Sequence, residues 1–421
     1  MSQSKTLDAN RVDRVQLKIL FVTFSAYLTT YFAKYNISAS TQAIQDEFAY
    51  TNAEFGIVFS AFAMVYGFGQ FAAGYLSNRY SSKTVLLLGI GGSVLANILF
   101  GFSSSLSLFT FFWCLNALSL SMVWSPITGV LYAWLPENRW GSWMGILCAL
   151  SYVGSALAMP IAGLAAETWG WRSTFIGLPL LFGLSGLLIF ILVAATPEKA
   201  GYAVSWLPSE KEAKPPITIR EYVLCLANSK FIMLCLCMIL ANAVRWGLNN
   251  WIIKILKQPI DDGGYGLSLV LAGAVGSSIH WGAAALSLTT GWLSDKVFSG
   301  RRWPVICLAF IISGLSLFIL STGSSILGWT GGLGILVGLL FLTGGLIQAM
   351  MAPMSCLPGD ILGADRGAAG NGLLYGTAYI GAMFSGSALG AIMDAGGNMA
   401  GIITLAGLCG AGAVLSFAIR R

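Results

Sequence analysis

Two basic side chains stand where a membrane would make them costly. Lys34 and Arg245 each lie well inside a long apolar run. A Lys or Arg at the centre of a membrane helix is unfavourable by ~2.5–3.5 kcal/mol on insertion scales, so such residues serve a function or meet a buried partner. Neither has an acidic residue close by in sequence. Two uncompensated cations facing one cavity make an anion site. The competing account is a snorkelling side chain or a structural ion pair. His280, the only histidine, lies deep in another apolar run. It can hydrogen-bond a substrate, carry a coupling proton because histidine titrates near neutral pH, or pack at a helix interface against a backbone carbonyl. Tyr31, Tyr35, Tyr66, Tyr152, Tyr375 and Tyr379, with Trp124 and Trp246, fall in such runs too. A tyrosine can donate to an oxyanion while presenting an apolar wall; helix packing or an interfacial aromatic belt accounts for each taken singly. Tyr35, beside Lys34, and Tyr379, in the middle of its run, are the favoured pair.

These residues need membrane helices to position them. Of the 421 residues 56% are hydrophobic and only 10% charged, against about 25% charged in a soluble domain, and the mean hydropathy is +0.77. Runs of about the 20 residues a bilayer core requires fall near 17–40, 53–77, 84–103, 107–134, 142–166 and 173–195, then near 229–256, 267–294, 304–323, 328–355, 367–393 and 399–419. The expectation is an all-α membrane protein of twelve transmembrane helices. The first run is too long for a signal-peptide core and lacks a cleavage site after it, so it reads as a retained helix. With the N-terminus placed in the cytoplasm, all the cations of the loops except Arg172, Lys254 and Lys257 fall on the inner side. That bias is the positive-inside pattern, and it puts both termini in the cytoplasm of a bacterial inner membrane. It also accounts for the net charge of +6 without invoking nucleic acid.

Other chemistry is excluded on spacing. The eight cysteines are scattered through apolar runs, and Cys235 and Cys237 are too close together for a redox or zinc pair. No metal-ligand spacing, cofactor motif or nucleophile elbow is present, so the expectation is a protein that is not an enzyme and holds no metal or cofactor. The chain also repeats itself. Gly74-Tyr-Leu-Ser-Asn-Arg-Tyr80 follows the second run, and Gly291-Trp-Leu-Ser-Asp-Lys-Val297 follows the eighth. Six-helix bundles at 1–196 and 228–421, joined by a polar cytoplasmic linker at 197–227, follow from this repeat, with the site between them near mid-membrane.

On these two glycine-led segments, and on Trp171-Arg172 and Pro197-Glu198 around the sixth run, the chain resembles the major facilitator superfamily. Within it, Tyr31-Phe-Ala-Lys-Tyr-Asn36, Tyr66-Gly-Phe-Gly-Gln70, Arg245-Trp-Gly-Leu-Asn-Asn-Trp251 and Gly291 to Phe298 resemble the organophosphate:phosphate antiporters, a family that includes glycerol-3-phosphate and hexose-phosphate transporters. The resemblance implies two pseudo-symmetric bundles and a substrate site in which Arg245 and Lys34 bind phosphate, Lys34 standing where that family has arginine. Gln70 replaces a lysine, Ser151 a histidine, and His280 an acidic residue of the glycerol-phosphate type. Less auxiliary charge suits a substrate of lower charge, or one whose polar body bonds to Gln70, Ser151 and Tyr152. The resemblance also implies gating roles for Asp295 and Arg79; Asn78 departs from the aspartate usual there, which puts the first copy's role in doubt. The expected partners are a small anionic substrate, phosphate or a proton as coupling ion, and membrane lipid, with the chain acting as a monomer. A proton-coupled carboxylate or sugar-acid symporter and a sugar-phosphate sensor are the alternatives.

Overall fold

The computed structural model describes residues 5–6, 13–204, 227–292, 296–298, 301–326, 332–362 and 364–420. Asp295, named above for gating, lies outside them, and of Asn78 only the backbone is described.

Helices dominate because in hydrocarbon each backbone N–H must be satisfied within its own segment. The first half runs through α1 (Arg14–Thr30), α2 (Asn36–Phe48), α3 (Asn52–Arg79), α4 (Ser82–Gly101), α5 (Leu106–Trp134), α6 (Glu137–Trp169), α7 (Trp171–Ile176) and α8 (Leu178–Leu192). The second half runs through α9 (Ser229–Lys257), α10 (Leu269–Gly276), α11 (Ser278–Trp292), α12 (Trp303–Ile326), α13 (Gly332–Ala349), α14 (Met351–Leu362), α15 (Ala364–Phe384) and α16 (Ser387–Ala418). Short helices pair end to end into single crossings: α1 with α2, α7 with α8, α10 with α11, and α13 with α14. A continuous apolar stretch from Gly370 to Ala418 is 49 residues long, far beyond one crossing. Within α16, Gly397 has φ of 78° and splits it, a conformation glycine adopts without a Cβ penalty. The chain thus crosses twelve times in two six-helix bundles.

Sequence and structure differ most at the first crossing. The run read as 17–40 extends to Phe48, because the helix breaks at Tyr31–Ala33 and resumes at Asn36. The turn into α3 is local chemistry. Ala49 closes α2 in the left-handed region at φ 57°, and Thr51 and Glu54 form a capping box, Glu54 N–H donating to Thr51 Oγ1 at 3.2 Å and Thr51 N–H to Glu54 Oε2 at 2.9 Å. Short parallel strands, β1 (Lys5–Thr6) and β2 (Tyr202–Ala203), tie the N-terminal segment to the chain that follows α8.

Glycines set the closest helix approach. A Cβ on Gly381 of α15 would clash with the Ile239 carbonyl oxygen of α9, a closeness that only a glycine allows. Gly381→Leu is expected to cost about 1–3 kcal/mol from overpacking, read as a fall of several degrees in the melting temperature of detergent-purified protein.

The halves meet tightly on the face away from the termini. There Ser38 Oγ donates to the Asn249 carbonyl at 2.7 Å and Ser60 Oγ to the Met383 carbonyl at 2.8 Å. Gly56 of α3 faces the backbone of Gly386, and Gly390 that of Asn52, each so closely that a Cβ would clash.

Candidate functional site

Lys34 sits at the break in the first crossing, with φ −115° and ψ −41°, between the turn of 3-10 helix at Tyr31–Ala33 and the start of α2. Its ammonium lies in an aromatic box: 4.6 Å from the ring centre of Tyr66, 5.0 Å from Trp246 and 5.9 Å from Tyr31. Trp246 belongs to the second half and the other two rings to the first. A ring face attracts a cation by ~2 kcal/mol or more when water is excluded, so the box holds the charge without neutralising it.

Arg245 is set in the middle of α9 and is also largely buried. One guanidinium nitrogen, Nη1, points at the Met351 sulfur 3.6 Å away, and its Nε has no hydrogen-bond partner among the described residues. Tyr35 faces the charge of the guanidinium. The ion pairs of the described residues, Arg172–Glu47 at 2.7 Å and Arg302–Asp360 at 3.1 Å, involve neither Lys34 nor Arg245. Each of the two feels the other's charge. Among the described residues, an ion pair is therefore not what holds them.

The remaining candidates gather around this pair. The His280 ring lies 5.2 Å from Tyr35, is 1% exposed, and faces the charges of Arg245 and Lys34. Neither ring nitrogen has a hydrogen-bond partner among the described residues, so the carbonyl-bonded packing role has no partner here. Asn249 Nδ2 donates to the Tyr35 hydroxyl at 3.3 Å while its Oδ1 is also unpartnered. Gln70 stands beside Tyr66 and Tyr379, one from each half, and the Tyr66 and Tyr379 rings lie 5.6 Å apart. Tyr152 faces the Arg245 charge. Ser151 is one step removed: its hydroxyl donates to the Cys148 carbonyl at 2.6 Å. Tyr375 stands apart, exposed and bonded to Ser355 at 2.5 Å. So two cations, a neutral amide and several phenols enclose one space to which the described residues bring no carboxylate.

Away from this centre lie residues the sequence reading placed elsewhere or passed over. Lys254, counted above among outer loop cations, is buried in the last turn of α9, where its Nζ donates to Gln45 Oε1 at 2.6 Å and to Asn52 Oδ1 across the interface between halves. Asp394 accepts the backbone N–H groups of Asn52 at 3.0 Å and Ala53 at 2.7 Å, the first residues of α3. Glu167, near the end of α6, accepts the N–H of Val270 at 2.9 Å, in the first turn of α10. Carboxylates near the ends of two long helices were the available signal. On the opposite face, Arg79 donates to Tyr75 at 3.1 Å and is exposed.

This chain is similar to several known proteins. A probable hexose phosphate transport protein of Chlamydia trachomatis is 24% identical over 398 residues, spanning 90% of this chain and 85% of that one. The membrane sensor protein UhpC of Salmonella typhimurium is 26% identical over 392 residues, 89% of this chain and 85% of its own. Among solved structures, a bacterial homolog of the human lysosomal transporter Spinster, inward-facing and unoccupied, superimposes with a TM-score of 0.78 at 15% identity, covering 97% of both chains. The sequence pattern of the Major Facilitator Superfamily matches residues 19–327. The twelve-crossing, two-bundle chain belongs to the Major Facilitator Superfamily of membrane transporters and to no class of enzyme.

Proposed function

We propose that this protein carries a small organophosphate, or a related phosphonate or carboxylate, across the bacterial inner membrane in exchange for phosphate, with both termini in the cytoplasm. The observation that carries the reading is the pairing of Lys34 and Arg245, one from each half, at membrane depth and with no ion-pair partner among the described residues. An anion placed between them would satisfy the unpartnered Arg245 Nε and meet the Lys34 ammonium, whose charge its aromatic box leaves uncancelled. Empty, the two cations repel and oppose the approach of the halves on the termini side; loaded, they do not. Obligatory exchange by rocking follows from that electrostatic difference. The similarity to a hexose phosphate transport protein supports the substrate class, and the cation bias of the loops supports the orientation. A carrier of this kind works as a monomer, with 1–196 and 228–421 as the rocking units and 197–227 as their tether.

A second reading rests on the similarity to a membrane sensor: anion binding at the same site without flux. Proteoliposomes loaded with unlabelled phosphate should take up labelled phosphate saturably, and sugar phosphates or glycerol phosphate outside should compete. Empty vesicles should take up almost none. Uptake that needs an inward proton gradient and no internal anion would replace the exchange reading with symport. Binding without uptake would favour the sensor.

A further inference from the structure

The helix break that carries Lys34 leaves one backbone carbonyl without its usual donor. In an unbroken helix Ala33 C=O would accept from Ile37 N–H. Here Ile37 N–H donates to Asn36 Oδ1 at 3.0 Å instead. Ala33 is fully buried, and an unsatisfied carbonyl at that depth costs several kcal/mol. Two side-chain amides from other helices take the donor's place. Asn116 Nδ2 of α5 donates to Ala33 O at 2.9 Å, and Asn97 Nδ2 of α4 at 3.3 Å. Both amides are committed at their other ends. Asn116 Oδ1 accepts from Ser93 Oγ at 2.6 Å, and Asn97 Oδ1 accepts from Asn36 Nδ2 at 2.9 Å. All four side chains are completely buried, so the network is shut off from water.

We infer that Asn97 and Asn116 are positioning residues for the anion: by gripping the Ala33 carbonyl they hold the break open and so fix where Lys34 presents its charge. Neither amide touches the cation or faces the space between the halves through its own bonds. Their effect passes through the next peptide unit. Were the carbonyl free, the cheapest repair would be to restore the bond from Ile37, which straightens the helix and rotates Lys34 away from Tyr66 and Trp246. The inference rests on the reading that Lys34 binds the anion, but its geometric part stands without it.

Two measurements keep these apart. Reductive methylation with carbon-13 formaldehyde marks Lys34, its resonance being the one absent from Lys34→Arg. Ring currents of Tyr66 and Trp246 should displace that resonance from the exposed lysines, and in Asn116→Leu it should move back toward them, with the melting temperature within a few degrees of wild type. An unmoved resonance in Asn116→Leu and in Asn97→Leu overturns the inference, whatever the substrate. In exchange assays, Asn116→Leu should raise the half-saturating phosphate concentration at least tenfold in the wild-type background and less than twofold in Lys34→Ala. Equal fold losses in both backgrounds would mark the network as merely structural and overturn it too. Absence of phosphate exchange in the wild type, with the resonance shifted as expected, would instead sink the functional reading and leave the positioning role standing.

Discussion

Arg245→Ala should abolish phosphate exchange while leaving the protein folded and no less stable. The guanidinium offers a planar fork of donors that matches a phosphate with two parallel bonds. Hydrogen bonds to charged groups are each worth ~1.5–3 kcal/mol, so losing two removes roughly 3–6 kcal/mol, or about two to four orders of magnitude in affinity. Nothing among the described residues stands ready to replace it, since Lys34 is the other member of the pair and Gln70 is a neutral amide. The stability side runs the other way. Among the described residues Arg245 is buried with no carboxylate and with Nε unpartnered, so its charge is held at a cost that the folded protein bears. Arg245→Met is therefore expected to melt at the same temperature as wild type or higher, and phosphate should raise the melting temperature of wild type but not of the variant. Arg245→Lys keeps charge and loses the fork, so it should fall between. Lys34→Arg should retain exchange. The measurement is initial-rate counterflow at matched protein content, with thermal melts in parallel. Exchange by Arg245→Ala within about threefold of wild type would sink the assignment of the pair.

How much of this was legible beforehand depends on what kind of signal each residue leaves. Helix count and boundaries come from long apolar runs, which hydropathy reads directly, and the capping box at Thr51 and Glu54 is written in the chain. Lys34 and Arg245 announce themselves because a charge is rare and costly at such depth. The extension of the first crossing to Phe48 was not readable, because Tyr31 to Asn36 contains neither proline nor glycine. Its break is held from outside, by Asn97 and Asn116, more than sixty residues away along the chain. Those asparagines look, in one dimension, like ordinary polar interruptions of an apolar run. Lys254 was misplaced for a related reason. Near a helix end a lysine is normally at the water interface, and only the partner half, through Gln45 and Asn52, takes it out of water. Contacts between halves are what sequence periodicity within either half cannot carry.

The same contacts support the second large effect, a shift in which face is open when the far-face carboxylates are removed together. Asp394 of the second half holds the N-terminus of α3 in the first, and Glu167 of the first holds the N-terminus of α10 in the second. The helices exchange roles under the pseudo-twofold relation, the second crossing pairing with the end of the eleventh and the eighth with the end of the fifth. A carboxylate near the C-terminal end of its own helix is disfavoured by that helix's dipole, and each is relieved by the positive end of the helix it caps, ~1 kcal/mol apiece. Both bonds cross between halves, so both are lost when the far face opens. Removing the pair should destabilise the closed far face by ~2 kcal/mol, moving the ratio of open to closed by roughly 30-fold. Each single variant, Asp394→Asn or Glu167→Gln, should give about the square root of that shift, since the clasps lie on different helix pairs and share no partner. Nitroxides at the exposed positions Phe102 and Ile260, one on each half of the far face, would report the opening as a longer component in the distance distribution. If the rocking electrostatics are right, phosphate added to the double variant should redistribute the two components. A distribution unchanged from wild type in Asp394→Asn/Glu167→Gln would mean that the glycine contacts and Lys254 alone keep the far face shut.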